Sequence, residues 1–577
     1  MSGIARDVGD LFHRELSGER AQATTAAITR FHRPPGASGY HAATNLVAAE
    51  LRAAGLKDVA STAYPLDGET VAGEGPLPLA WEPHGAVVRV VSPEPGEVVN
   101  METASSCLAW WSRPTPEGGM TAELVDLGRG ERDEDYAGTD LTGKIVLIGH
   151  TERPGGWMYA ARRAMEAGAR GILSDYLFYT FAPDRTRETH PEAVQLLRLP
   201  NQRGQFDAWA CGIAYPAAQR LRELLRLGPV TLHADVRCDL FRGHGQNLLA
   251  TIRGRELPEE SVFFIAHCSA ATCPCANCAA GPALMVEIAR VLHGLIERGE
   301  LKRPRRSVKF LFIIEGLGSR AYIEQHRDEL DRVKAAFCFD SVGHDQGKLK
   351  SVLLFYRHPD SSPSFINDYF AGVMDRSPKD GTWVFADDAD IAPVQFTQAP
   401  YTPWSDNHIW AAYGVPSPLI MSWPDLHFHT QFLTADNTDP RVFRRAGVTT
   451  ALAAYEIADA GAADALMMAD EVAARAGFRL AEIANRAVHR LAGAARVGGN
   501  GVDATRVSAR AGRELAYAAE RDRRAVASVR TLLSGESVPG LDDAIAAHGD
   551  ALHEQAERAA ARVVAAADGW SGGGERA

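Results

Sequence analysis

The chain has 577 residues, 46% hydrophobic and 23% charged, with a formal net charge of -12. That length suggests roughly three to four units of about 150 residues, or fewer large ones, and is enough to bury a large core without covalent staples. The acidic balance, with a pI near 5.9, argues against broad nucleic-acid binding, which wants a basic face.

The N-terminal segment MSGIARDVGDLFHRELSGER has no apolar core of signal-peptide length, and no stretch of about 18 apolar residues is read anywhere. The expectation is a cytoplasmic protein with no membrane span and no membrane partner. In a reducing compartment, clustered cysteines bind metal or do chemistry more often than they form disulfides.

Residues 20–65 read as helix then strand, with Asn45, Leu46, Ala49, Leu51 and Leu56 as an apolar face and Gly55 as a helix stop. The Pro- and Gly-rich GEGPLPLAWEPHG follows as a linker or irregular edge. GKIVLIGH is then a strand, and GWMYAARRAMEAGARGILSDY a helix followed by Gly171 and a strand, which makes a β-rich unit with βαβ elements. From about 245 apolar strands alternate with helices: QNLLATIRG, SVFFIAH, SVKFLFIIE, AAFCFDSVG, SVLLFYR and PSPLIMSW. That alternation predicts an α/β fold, a mostly parallel mixed sheet with helices on both faces.

From about 461 the chain turns Ala-, Arg- and Glu-rich and reads as amphipathic helices, with a GWSGGGERA tail that reads as disordered. The expected domains are 1–84 (N-terminal helices and the first part of the α/β domain), 85–243 (an inserted β-rich domain), 244–460 (the main α/β domain) and 461–577 (a C-terminal helical extension). The last suits a homo-oligomer interface or a bundle against the core.

Sites in open α/β sheets form at the carboxyl ends of strands. Four metal-competent side chains follow apolar runs: His267, Glu315, Asp340 and His429. Each alone has a structural reading, as a hydrogen-bonded histidine or a capping carboxylate. Together they suit zinc. The loop after His267 carries Cys268, Cys273, Cys275 and Cys278. Thiolates there would shift preference toward zinc, copper or iron, and Pro274 leaves the loop free to wrap an ion. Asp406 and His408 in WSDNHIW read by themselves as a surface turn with a capping aspartate, and His427, two residues before His429, is an alternative to it as ligand. The acidic ADDAD at 386–390 fits no calcium loop and reads as a solvated turn. Cys107, Cys211, Cys238 and Cys338 read as small buried hydrophobes.

Four segments together resemble the M28 family of zinc-dependent exopeptidases, aminopeptidase type. They are HCSAATCPCANCAAGPALMVEIAR, RSVKFLFIIEGLGSRAYIEQH, AAFCFDSVGHDQG, and PWSDNHIWAAYGVPSPLIMS with HFHTQFLTADNTDP. LTGKIVLIGHTERPGGWMYAARRAMEAGARGIL resembles the protease-associated domain inserted in such enzymes. The resemblance covers most of residues 20 to 460. It implies a zinc-exopeptidase-like fold and one or two zinc ions, His267 and Asp340 on one and Glu315 and His429 on the other. It also implies a small peptide-like or amide substrate, in a pocket that Asp406, His408 and His427 would line.

The sequence departs from the family at three places. Cys278 stands where a bridging aspartate belongs, Ser269 where a helper aspartate belongs, and Glu315 lacks the usual adjacent glutamate, so it is ligand or catalytic base. Three readings follow: a metallo-hydrolase with Cys278 as ligand; an iron or copper thiolate protein of non-hydrolytic class; and a non-catalytic binding relative, its thiols inert or its loop closed by a disulfide.

Overall fold

Alternation along one strand divides the core in two. In Leu257–His267, Val262, Phe264 and Ala266 enter one buried cluster, while Phe263 and Ile265 enter another on the opposite face. This is seen in a computed structural model that describes residues 7–151, 155–178, 184–270, 274–378, 393–496, 503–536 and 538–571. The first face is covered by the helices Asn277–Glu297 and Pro440–Asp459, the second by Leu317–Gln325 and Asn407–Ala412. Phe264 stacks on Phe310 of the next strand with ring centroids 5.1 Å apart and on Phe339 at 5.9 Å. Each such buried ring contributes about 1.5–3 kcal/mol.

The main sheet has eight strands, in the order Asp58–Leu66, Gly243–Ile252, Arg306–Ile313, Leu257–His267, Val333–Asp340, Leu419–Trp423, Val352–Tyr356 and Phe396–Ala399. The four from Arg306–Ile313 to Leu419–Trp423 run parallel, so their carboxyl ends open on one edge. Antiparallel pairs flank them.

The chain leaves this sheet after Asp58–Leu66 and re-enters by Gly243–Ile252, with Leu66 opposite Gly243. Between them lies a second sheet of seven strands with its own core around Trp81, Trp110 and Trp209. Gly171 is required there, because a Cβ would stand 2.4 Å from the Trp209 ring.

Three helices, Ala462–Arg496, Ala504–Ala527 and Leu541–Ser571, pack on one another at the C-terminus. Arg479 ties them to the α/β domain, donating to Asp368 at 2.8 Å and pairing with Asp522 at 2.9 Å.

Two sequence expectations change. The helix Ser38–Ala53 buries Tyr40, Ala43, Val47, Ala48 and Leu51, while Asn45 and Ala49 are exposed, because Thr44 and Ala48 take the inward positions in their place. One described helix, Asn277–Glu297, is long and apolar enough to cross a membrane by length and composition. Its residues are spent on the core: from Asn277 to Ala289 every one is buried.

Candidate metal centre

Strand register brings the first group together. His267 ends its strand opposite Ile313, so Glu315, two residues further on, emerges beside it. Asp340 ends the strand on the other side, next to the pair Ala266–Phe339. One ligand atom each from His267, Glu315 and Asp340 lie within 4.8 Å of one another. His267 Nε2 is 3.9 Å from Asp340 Oδ1. Ligands at about 2.0–2.2 Å on a tetrahedral ion stand roughly 3.4 Å apart, so this pair would close by about half an ångström.

The second group joins Cys275, Cys278 and His429, again within 4.8 Å. The two thiols sit where the loop enters the helix Asn277–Glu297, with their sulfurs 3.8 Å apart. His429 lies six residues beyond the end of Leu419–Trp423, in a turn. Glu315 therefore stands with His267 and Asp340, and His429 with the thiols, while Glu315 and His429, the pair the resemblance implied, remain near enough to act on each other's charge. The reason is register: the glutamate's strand is hydrogen-bonded to the histidine's.

Backbone strain gathers here. Three of the six non-glycine residues with positive φ among the described residues are Cys275 (42°), Ser341 (51°) and His429 (53°). Arg33 holds the cysteine loop from the N-terminal segment. Its buried guanidinium donates to the carbonyls of Cys268 (2.8 Å), Cys275 (3.1 Å), Ile28 (2.9 Å) and Phe31 (3.0 Å).

The first group is rich in negative charge. Burial opposes charging of His267, yet Asp340, Asp406 and Glu315 hold its pKa up to about 10. Burial likewise opposes ionisation of Glu315, but His267, Arg198 and His429 bring it down to about 2. Burial raises Asp340, and Glu315 adds to the rise. His429 is pushed down to about 3 by burial and then by Arg198. The hydrogen bond between the thiols lowers Cys275 and raises Cys278. Several anionic oxygens around one buried imidazole form a pocket that a cation would neutralise.

Neighbours orient these side chains. Asp406 Oδ2 faces His267 Nδ1 at 3.6 Å, and neither atom has a hydrogen-bond partner. That arrangement fits a histidine whose other nitrogen binds metal and whose Nδ1–H is turned to a carboxylate. Asp406 Oδ1 accepts from the Gly316 amide at 3.0 Å, and Ser269 Oγ from the Glu315 amide at 2.9 Å. Asp406 thus occupies the orienting place that the sequence reading gave to position 269. The residues present fit a zinc-type cation.

Other candidates lie apart. His408 Nδ1 meets the Ser405 carbonyl at 2.6 Å. The strand stops at Trp423, so His427 does not share a face with His429; it sits against the rings of His190 and Phe432. Cys268 is fully buried in the main core, its thiol pushed up to about 12 by burial. Cys107, Cys211, Cys238 and Cys338 are buried and free. Cys273 and the acidic 386–390 lie outside the described residues.

Four residues were not singled out from sequence. Arg198, from the inserted domain, donates to Glu315 Oε2 at 3.2 Å and lies over the Trp110 ring. The adjoining Leu196 amide donates to the His429 carbonyl at 2.9 Å. Asp425 and His344, both fully buried, face each other at 4.0 Å. No local motif marks any of them; the aspartate of PDLHFH, two residues before a candidate histidine, was the one available hint.

Comparison with known proteins gives the same fold. Residues 247–454 match the model of Peptidase family M28. No curated protein matches the chain. A solved structure of a peptidase M28 precursor from Shewanella amazonensis superposes with a TM-score of 0.57 at 18% identity, over 78% of this chain and 96% of that one. A zinc aminopeptidase from Bacillus subtilis superposes with a TM-score of 0.55 at 17% identity, over 76% of this chain and 95% of that one.

Proposed function

We propose, from the match of residues 247–454 to the model of Peptidase family M28, that this protein is a metal-dependent hydrolase of an amide or peptide-like bond in a small substrate. The observation that carries the reading is the convergence of His267, Glu315 and Asp340 at three parallel strand ends. Zinc suits imidazole and carboxylate donors. When bound, it supplies Lewis-acid polarisation of the scissile carbonyl and activation of water.

The chain's own residues divide the remaining work. Asp406 fixes the ring of His267, and Ser269 fixes the backbone of Glu315. Glu315 is a metal ligand in this reading. Its second oxygen is held by Arg198, and a carboxylate kept near pKa 2 is a poor proton acceptor. Cys278 and His429 make the metal site cysteine-containing, beside the carboxylate group. We read the inserted seven-stranded domain as protease-associated in type, and as the wall that carries Arg198 to the site mouth.

The test is zinc content and hydrolysis of a panel of aminoacyl and N-acyl amides by wild type and His267→Ala. Wild type should hold zinc at the His267, Glu315 and Asp340 group and cleave at least one class, and the variant should lose about one zinc ion per chain together with the cleavage while keeping its circular dichroism. Full activity in His267→Ala would remove the reading.

A further inference from the structure

We propose that Cys275, Cys278 and His429 form a thiolate site of their own for a zinc-like divalent cation, distinct in chemistry from the carboxylate site beside it. The inference deepens the hydrolase reading and rests on it only for the neighbouring reaction centre; the site itself is decided by metal binding.

Geometry is the first support. Two thiolates bound at about 2.3 Å to a tetrahedral ion stand roughly 3.8 Å apart. The sulfurs of Cys275 and Cys278 are 3.8 Å apart. A disulfide would bring them to about 2.05 Å. The pair is thus already at the spacing of a tetrahedral edge, with a His429 nitrogen within 4.8 Å of both.

The backbone is the second. Cys275 and His429 both adopt a left-handed conformation that L-residues avoid. Each is held there from outside its own segment. Arg33 grips the Cys275 carbonyl, and the Leu196 amide of the inserted domain grips the His429 carbonyl. Strain maintained by two distant segments, at two of three converging donors, is the mark of a constrained site.

Chemistry is the third. The two groups differ in softness: imidazole and carboxylates in one, imidazole and two thiolates in the other. Sulfur donors select zinc, cobalt and copper(I) over magnesium or manganese, which a carboxylate site accepts. Binding displaces the thiol protons and needs no oxidant. Both sulfurs are buried and His429 is half-buried.

The test is a cobalt(II) titration of reduced, chelator-treated full-length protein, following the thiolate-to-cobalt charge-transfer absorbance. Wild type and His267→Ala should show the band saturating at about one equivalent, and Cys275→Ser and Cys278→Ser should lose it. Total cobalt should fall from about two ions per chain to about one in the serine variants. X-ray absorption on zinc-loaded wild type needs no variant, and should show a sulfur shell near 2.3 Å. A shell of nitrogen and oxygen only, a band that survives in Cys275→Ser/Cys278→Ser, or a band that vanishes in His267→Ala would overturn the proposal. Activity without the sulfur signature would remove the thiolate site and leave the hydrolase reading standing. The signature in a protein inactive on every substrate would do the reverse.

Discussion

Arg198 reaches from the inserted domain to Glu315 of the α/β domain, its guanidinium 3.2 Å from Oε2. The two residues are 117 positions apart in sequence. Both side chains are partly exposed, 41% and 31%, so the ion pair contributes little to stability, about 0–1 kcal/mol. Its role is orientation. Arg198→Gln should shift the unfolding free energy by less than about 1 kcal/mol while lowering kcat/KM at least tenfold. Equal activity in that variant would show that Glu315 needs no partner from the insert.

Asp406 should matter through His267. Replacing it with asparagine keeps the shape but removes the charge that faces Nδ1 at 3.6 Å. Loss of such a partner costs about 10- to 100-fold in metal affinity. Competition with a chelating dye would measure this, and an unchanged zinc affinity in Asp406→Asn would contradict the assignment.

Arg33 should be a strong stability determinant. Four carbonyls accept from its fully buried guanidinium. Leucine would leave the carbonyls of Cys268, Cys275 and Phe31 without this donor, while Ile28 keeps the Phe31 amide, at a cost of about 1–3 kcal/mol for each that water cannot reach. Arg33→Leu should therefore lose at least roughly 3 kcal/mol, with Arg33→Lys recovering only part, because an ammonium lacks the planar fork. Chemical denaturation of the two variants beside wild type measures both effects.

His358 predicts an acid weakness. Burial lowers its pKa from 6.5 to about 4, and its Nδ1 accepts from the Ser417 amide at 3.1 Å, which the protonated ring could not do. The unfolded chain takes up the proton below about 6.5, whereas the folded one resists it until about 4. The stabilisation is thus complete above pH 6.5 and is lost as pH falls through about 4, roughly 3 kcal/mol in all. The thermal midpoint should fall over that window in wild type and fall less in His358→Asn.

The parts legible in the sequence were those with local signals. Apolar runs ending in His267 and Asp340, and one ending just before Glu315, marked parallel strands, and the edge rule for such sheets marked their ends as a site. Helical periodicity marked the C-terminal extension. Arg198 was not legible, because its contact with Glu315 is set by how a whole inserted domain sits on the sheet edge. Asp406 was read as a pocket residue or a cap; that it faces His267 depends on the turn before Asn407–Ala412. The division into two donor groups was also hidden. It depends on the turn that carries His429 back to Cys275 and Cys278, and on left-handed conformations that no residue type announces.

The most direct test of the central claim is zinc titration into chelator-stripped protein, with hydrolysis of a responsive aminoacyl or N-acyl amide followed in parallel. Activity should rise with zinc occupancy, collapse again on adding chelator, and remain absent in His267→Ala at every zinc concentration. Hydrolysis that persists in the stripped protein, or full zinc loading with no hydrolysis of any substrate in the panel, would contradict it.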